Sequence, residues 1–248
     1  MNREIAANDV TAQYSPLLQA RIGGFLYLLI ILGGLFAPFA VAPSGMMLGE
    51  PSLQTLAKIQ HSILSYEFGG VAQLVVYACD VSLALVFYEL LKPVSKKIAL
   101  LAAYFRLTFA AIASANIINH FVVSIILGGS HSLDEFSPGQ LQALAITLLK
   151  MRTLGFDIAL FFFGLHCAIV GYLLYRSTYF PRILGIALAI GGLGYVANIF
   201  VRVIPILAEL HLFPYIMFPA GIAEMALTLW LLVRGLNVVR WSERTNAL

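Results

Sequence analysis

The sequence predicts an all-α fold: a polytopic membrane helix bundle of six transmembrane helices, formed by one domain over residues 1–248. A short interfacial helix follows the first span, and the fourth span has an extended outer start. Three observations lead there. Hydrophobic residues fill 60% of the chain and charged ones only 11%, against about 25% charged in soluble domains. No aqueous globule of this size hides that much apolar surface, so lipid is the solvent. The apolar residues fall in runs of the length a bilayer demands, roughly 20 residues each. Lysine and arginine then alternate between the two ends of successive runs.

Reading apolar runs against their breakers places the spans near 21–42, 66–91, 98–127, 152–175, 182–204 and 213–234. The first ends in Ala40-Val41-Ala42, which resembles a signal-peptidase site. The run is longer than a signal's apolar region and Pro43 would follow the cut, so it reads as an uncleaved span. The stretch Ser52 to Ile59 is too polar to cross. Its Leu53, Leu56 and Ile59, continued by Ile63, recur at helical spacing and predict a short amphipathic helix in the interface. Ser137-Pro138-Gly139-Gln140 has the form of a capping box with proline at the first helical position, so the fourth helix starts near Pro138 and protrudes from the bilayer.

Orientation follows from the cations. One end holds Arg3, Arg21, Lys92, Lys96, Lys97, Arg176, Arg182, Arg234, Arg240 and Arg244. The other holds Lys58, Lys150 and Arg152, with Arg202 near it. By the positive-inside rule the first end faces the cytoplasm of a cell membrane, with both termini on that side. Short basic turns, each with a proline (Pro93 or Pro181), make tight hairpins of spans two and three and of spans four and five. Helix packing relies on small residues, since lipid gives helices little reason to associate. Gly185, Ala189 and Gly192 form such a stripe, and Gly23-Gly24 and Gly33-Gly34 mark the first span.

Much chemistry is excluded. There is no basic patch with interleaved aromatics, so nucleic acid is not a partner. Cys79 and Cys167 lie inside apolar runs and give neither a disulfide framework nor a zinc motif. A phosphate-binding glycine loop, a Gly-x-Ser-x-Gly elbow, a His-Glu-x-x-His pair and Asp-x-x-Asp pairs for magnesium are all absent. His61, His131 and His211 sit at the outer side with the spacing of no metal motif. His120 and His166 differ by roughly 18 Å in depth, which disfavours a haem between them. No metal or cofactor is therefore expected, and membrane lipids are the partners.

What remains is polar chemistry inside the spans, where charged groups are costly and face the bundle interior with partners. Depth follows from residue count at about 1.5 Å per residue from the basic end. Asp80 then lies roughly 18 Å deep, Arg106 roughly 14 Å, and His166 and Glu224 roughly 15 Å. Four ionisable groups on four helices share one midplane layer. Asn116, Asp157 and Arg202 form a second layer at about 28–30 Å, with Asn119, His120, Glu67 and Arg152 farther out. Asp80 is expected to pair with Arg106, and Asp157 with Arg202. Glu224 is left without an obvious partner, either protonated or facing His166. Asn116, Asn119 and His120 share one helical face, which suggests an outer polar cleft narrowing to the midplane.

These residues resemble a known family. Asp80-Val-Ser-Leu-Ala-Leu-Val-Phe-Tyr-Glu-Leu-Leu-Lys-Pro93, Leu100-Leu-Ala-Ala-Tyr-Phe-Arg106 and Gly155-Phe-Asp157 through His166 are similar to the bacterial membrane family called domain of unknown function 4386. So are Gly171-Tyr-Leu-Leu-Tyr-Arg176, Pro181-Arg-Ile-Leu-Gly185 and Ala20-Arg-Ile-Gly-Gly-Phe-Leu-Tyr27, a likeness over roughly residues 20–235. The resemblance implies a multi-pass bacterial membrane protein in which Asp80, Arg106, Asp157 and His166 recur, and it carries over no activity. Three readings of function stand: binding or transport of a small molecule or lipid, an intramembrane enzyme acting on a lipid or isoprenoid, and a structural or assembly protein.

Overall fold

The computed structural model describes residues 15–41, 51–129, 135–210 and 212–247. Arg3, the Ala42-Pro43 site, His131 and His211 lie outside the described residues. The chain forms α1 (Pro16–Val41), α2 (Leu53–His61), α3 (Ile63–Leu91), α4 (Lys96–Leu127), α5 (Pro138–Arg176) and α6 (Arg182–Val203). After them come α7 (Pro205–Ala208), a 3-10 turn (Tyr215–Met217), α8 (Phe218–Val233) and α9 (Val238–Asn246). Among the described residues there is no strand. Among the described residues six helices are long and apolar enough to cross a membrane, α1, α3, α4, α5, α6 and the stretch Tyr215–Val233. The protein is a membrane protein with an all-α fold.

Local chemistry sets the helix starts. At α5 the Ser137 hydroxyl accepts from Gln140 N–H while the Gln140 side chain accepts from Ser137 N–H, and Pro138 occupies the first turn. This is the reciprocal cap that the sequence predicts, and it satisfies N–H groups that have no intrahelical partner. The resulting helix has 39 residues. At about 1.5 Å per residue it is about 58 Å long, nearly twice the hydrocarbon thickness, so one end must stand clear of the lipid. Ser52 and Thr55 cap α2 in the same reciprocal way. Its buried Leu56 and Ile59 pack with Tyr66, Val123, Ile126, Ala145 and Leu149, which docks α2 on the ends of α3, α4 and α5 opposite the basic turns.

The six long helices close into a ring. Each packs chiefly against two others in the order α1, α3, α4, α5, α6, α8 and back to α1. The α3–α4 and α5–α6 contacts are the hairpins expected from the short basic turns. At the second turn Tyr179 is buried, and its hydroxyl donates to the Leu90 carbonyl at 2.8 Å, tying the two basic turns together. Burial holds that phenol above its ordinary pKa, so it remains a donor.

Small residues make the ring tight. A Cβ on Gly185 would lie 2.5 Å from the Gly171 carbonyl oxygen, and one on Gly192 would lie 2.6 Å from that of Gly164. The stripe of Gly185, Ala189 and Gly192 on α6 therefore meets a matching pair on α5, and the two backbones approach as lipid-solvated helices must if packing is to hold them. In α1, Gly23 and Gly33 lie under Val86 and Val76 of α3, and Gly24 faces the Leu232 backbone of α8. Gly34 faces open space.

Candidate functional site

Each helix of the ring sends one polar side chain to the centre. Arg106 of α4 is the hub and is fully buried. Its Nη2 donates to Asp80 Oδ1 of α3 at 2.5 Å, the pair expected from depth counting. Its Nη1 donates to His166 Nε2 of α5 at 3.0 Å. His166 Nδ1 lies 2.9 Å from the Ala102 carbonyl, which can only accept. The ring is therefore the neutral tautomer with its proton on Nδ1, free to take the arginine at Nε2. Aromatic faces complete the shell: the guanidinium carbon sits 5.1 Å from the Tyr27 and Phe163 ring centroids and 5.9 Å from that of Phe87. A guanidinium over such faces keeps favourable electrostatics after losing its water.

Glu224 of α8 completes the layer, although not through His166. Both its oxygens accept from phenols, Oε2 from Tyr27 of α1 at 2.9 Å and Oε1 from Tyr195 of α6 at 2.7 Å. Tyr27 thus joins the two halves, lying under Arg106 while its hydroxyl holds Glu224. The layer contains two carboxylates and one arginine, and the arginine is already engaged by Asp80. Glu224 is the acid without a cation of its own.

The outer residues fall into two groups, one on each side of α5. Between α5 and α6, Asp157 accepts from Arg202 Nε at 2.7 Å and from Asn198 Nδ2 at 2.9 Å, and the Arg202 guanidinium stacks on Phe213 at 4.8 Å. This realises the expected ion pair and adds Asn198 to it. Between α4 and α5, Asn116 donates to the Arg152 carbonyl at 2.7 Å and accepts from Asn119 at 2.9 Å. A Cβ on Gly155 would meet Asn116 Oδ1 at 2.5 Å, so glycine there makes room for the amide. Arg152 reaches Gln73 of α3 at 2.8 Å, and Ser124 donates to Glu67 at 2.5 Å. His120 turns toward α3, stacks on Tyr66 with centroids 3.7 Å apart, and donates from Nε2 to the Tyr66 carbonyl at 2.7 Å. Among the described residues no hydrogen bond joins the two outer groups.

Several buried polar atoms have no partner among the described residues: Asp80 Oδ2, Arg106 Nε, Tyr66 Oη, His120 Nδ1, Asn198 Oδ1 and Trp230 Nε1. All but Trp230 lie at the midplane or between it and the end opposite the basic turns. Buried polar groups almost always find a protein or water partner, so these atoms are the ones the fold leaves to be satisfied by something other than its own side chains.

Tyr27, Tyr195, Asn198, Tyr66 and Gln73 join these networks without having been singled out in the sequence. Tyr195, Asn198 and Arg202 recur at three- and four-residue intervals, the same one-face spacing that marked Asn116, Asn119 and His120, and that signal was there to be read. Tyr27 had no such signal, being a lone phenol in an apolar run.

The family model described as Domain of unknown function (DUF4386) matches residues 22–235. An "Uncharacterized protein" of Archaeoglobus fulgidus is 28% identical over 156 residues, which cover 63% of this chain and 76% of that one. No solved structure matches the chain.

Proposed function

The chain belongs to the domain of unknown function 4386 family over residues 22–235, and we propose that this member binds or transports a small molecule or lipid through a polar cleft ending at Glu224. The observation that carries the reading is the surplus carboxylate. Ionisable groups within a membrane are expensive and usually functional, and Glu224 sits among six helices with hydroxyls, not a cation, as partners. An acid so placed can accept a proton, an ammonium group or a hydroxyl of a solute by exchanging its phenol donors. The unpartnered atoms between Glu224 and the end opposite the basic turns support entry from that side. From the lysine and arginine distribution we infer that this is the outer side of a cell membrane and that both termini are cytoplasmic.

The test is mass spectrometry of small molecules co-purifying in mild detergent with wild type and with Glu224→Gln. The expected result is a compound retained by wild type and lost from the variant, with both melting at the same temperature. Retention by both would exclude Glu224 as the binding group.

One observation favours a structural reading instead. Arg106 is fully buried, paired and bracketed by aromatic rings, as a group that only fixes helix register would be. Under that reading no solute is retained by either protein, and Glu224→Gln changes stability alone.

A further inference from the structure

At the basic end lies a shallow, open groove that the midplane chemistry does not use. Its volume is 460 Å³, and it is lined by Pro93 and Val94 of the α3–α4 turn, Thr178 of the α5–α6 turn, and Arg240, Glu243 and Arg244 of α9. The α9 helix is amphipathic and held in place by its own contacts. Trp241 Nε1 donates to the Leu90 carbonyl at 3.2 Å, the same carbonyl that Tyr179 uses. Asn237 N–H donates to the Tyr179 carbonyl at 3.2 Å, and the Asn237 side chain caps Arg240 N–H at 3.1 Å.

Arg240 is aimed across the groove. Its Nη1 donates to the Thr178 carbonyl at 3.1 Å, on a residue whose φ of 63° turns the chain sharply there. One donor of the guanidinium is thereby fixed, and among the described residues its other N–H groups make no hydrogen bond. Arg244 stands one turn farther on the same face. The two arginines and Glu243 give the groove a net charge of +1 (two cations less one anion). On the same helix Val239 is 68% exposed, an apolar side chain suited to the acyl boundary. Further cations, Lys96, Lys97, Arg176, Arg182 and Arg234, lie at the same helix ends but outside the groove lining.

We infer that this groove binds the headgroup of an anionic phospholipid, with Arg240 and Arg244 forking the phosphate diester while Val239 and the α3–α4 turn meet the acyl boundary. A singly charged phosphodiester matches the groove's charge. Planar guanidinium donors match its two free oxygens. A basic cleft between helix ends, level with the headgroups, is where such lipids are recognised. The bound lipid staples α9 to both basic turns. The site stands apart from Glu224 and does not depend on the function proposed for it.

The test uses the full chain in dodecyl maltoside titrated with dioleoylphosphatidylglycerol, dioleoylphosphatidylcholine or inorganic phosphate, with bound molecules counted by native mass spectrometry. Wild type is expected to hold one phosphatidylglycerol in preference to phosphatidylcholine. The Arg240→Gln/Arg244→Gln double variant should bind it about 25-fold more weakly, at about fivefold for each arginine. A Lys96→Gln/Lys97→Gln variant loses two charges from the same end outside the groove and should keep wild-type affinity. Arg240→Lys keeps the charge without the planar fork and should fall between, which guards against misfolding of the double variant. Equal losses in the lysine and arginine variants would overturn the inference in favour of diffuse attraction. Inorganic phosphate displacing the lipid at millimolar concentration would overturn it in favour of a free-anion site.

Discussion

Arg106→Gln is expected to destabilise the folded bundle by about 3–5 kcal/mol, the usual cost of removing one partner from a buried ion pair. The variant leaves Asp80 1% exposed with no cation. It also strips the donor from His166 Nε2 and the cation from three aromatic faces. Thermal unfolding in detergent, followed by circular dichroism, reads the loss. Asp80→Asn should cost less than Arg106→Gln, because an amide still accepts from Nη2 and a lone guanidinium retains its rings. The double replacement Arg106→Met/Asp80→Leu should recover much of the stability, since apolar side chains of similar volume often replace a buried pair without penalty. A double variant as unstable as Arg106→Gln alone would mean that the hub is needed for more than charge balance.

The second large effect is steric. Gly171→Ala should loosen the α5–α6 hairpin at a cost of about 1–3 kcal/mol or more, the range for overpacking a close contact. Its Cβ would lie 2.5 Å from the Gly185 carbonyl oxygen and 2.6 Å from Ala189 N, both backbone atoms that only a helix shift can move. Gly34→Ala is the matched control, because nothing lies within 4 Å of its added carbon. It should leave the melting temperature unchanged or raise it slightly, as alanine favours helix over glycine. Equal melting of the two variants would mean that the α5–α6 backbones stand farther apart.

Helix number, hairpin pairing, the two ion pairs and the α5 cap were legible because each rests on one-dimensional information. Apolar run length fixes a span, residue count fixes depth, and a four-residue cap is local. Azimuth is not one-dimensional. Depth counting puts His166 and Glu224 level with each other but says nothing about which way they face, and the structure gives His166 to Arg106 and Glu224 to two tyrosines. Ring closure is equally hidden, since α1 and α8 meet across nearly the full sequence while charge alternation constrains only neighbours in the chain. The start of α1 at Pro16, before the first fully apolar run, reflects a helix that continues past the hydrocarbon edge. Tyrosine explains most of what was missed at the site. Its ring reads as apolar bulk in a span, and only the fold reveals that a hydroxyl reaches an acid.

In the proposed cleft, water or a polar solute reaches the midplane from the end opposite the basic turns. Hydroxyl-radical footprinting of the full chain in lipid nanodiscs tests it directly by comparing two buried tyrosines. Tyr66 is 0% exposed with an unpartnered hydroxyl in the half bearing the proposed cleft, and Tyr179 is 3% exposed with a bonded hydroxyl among the basic turns. Greater oxidation of Tyr66 than of Tyr179 is the predicted result. Protection of Tyr66 equal to or beyond that of Tyr179 would contradict the cleft and leave the midplane network a structural clamp.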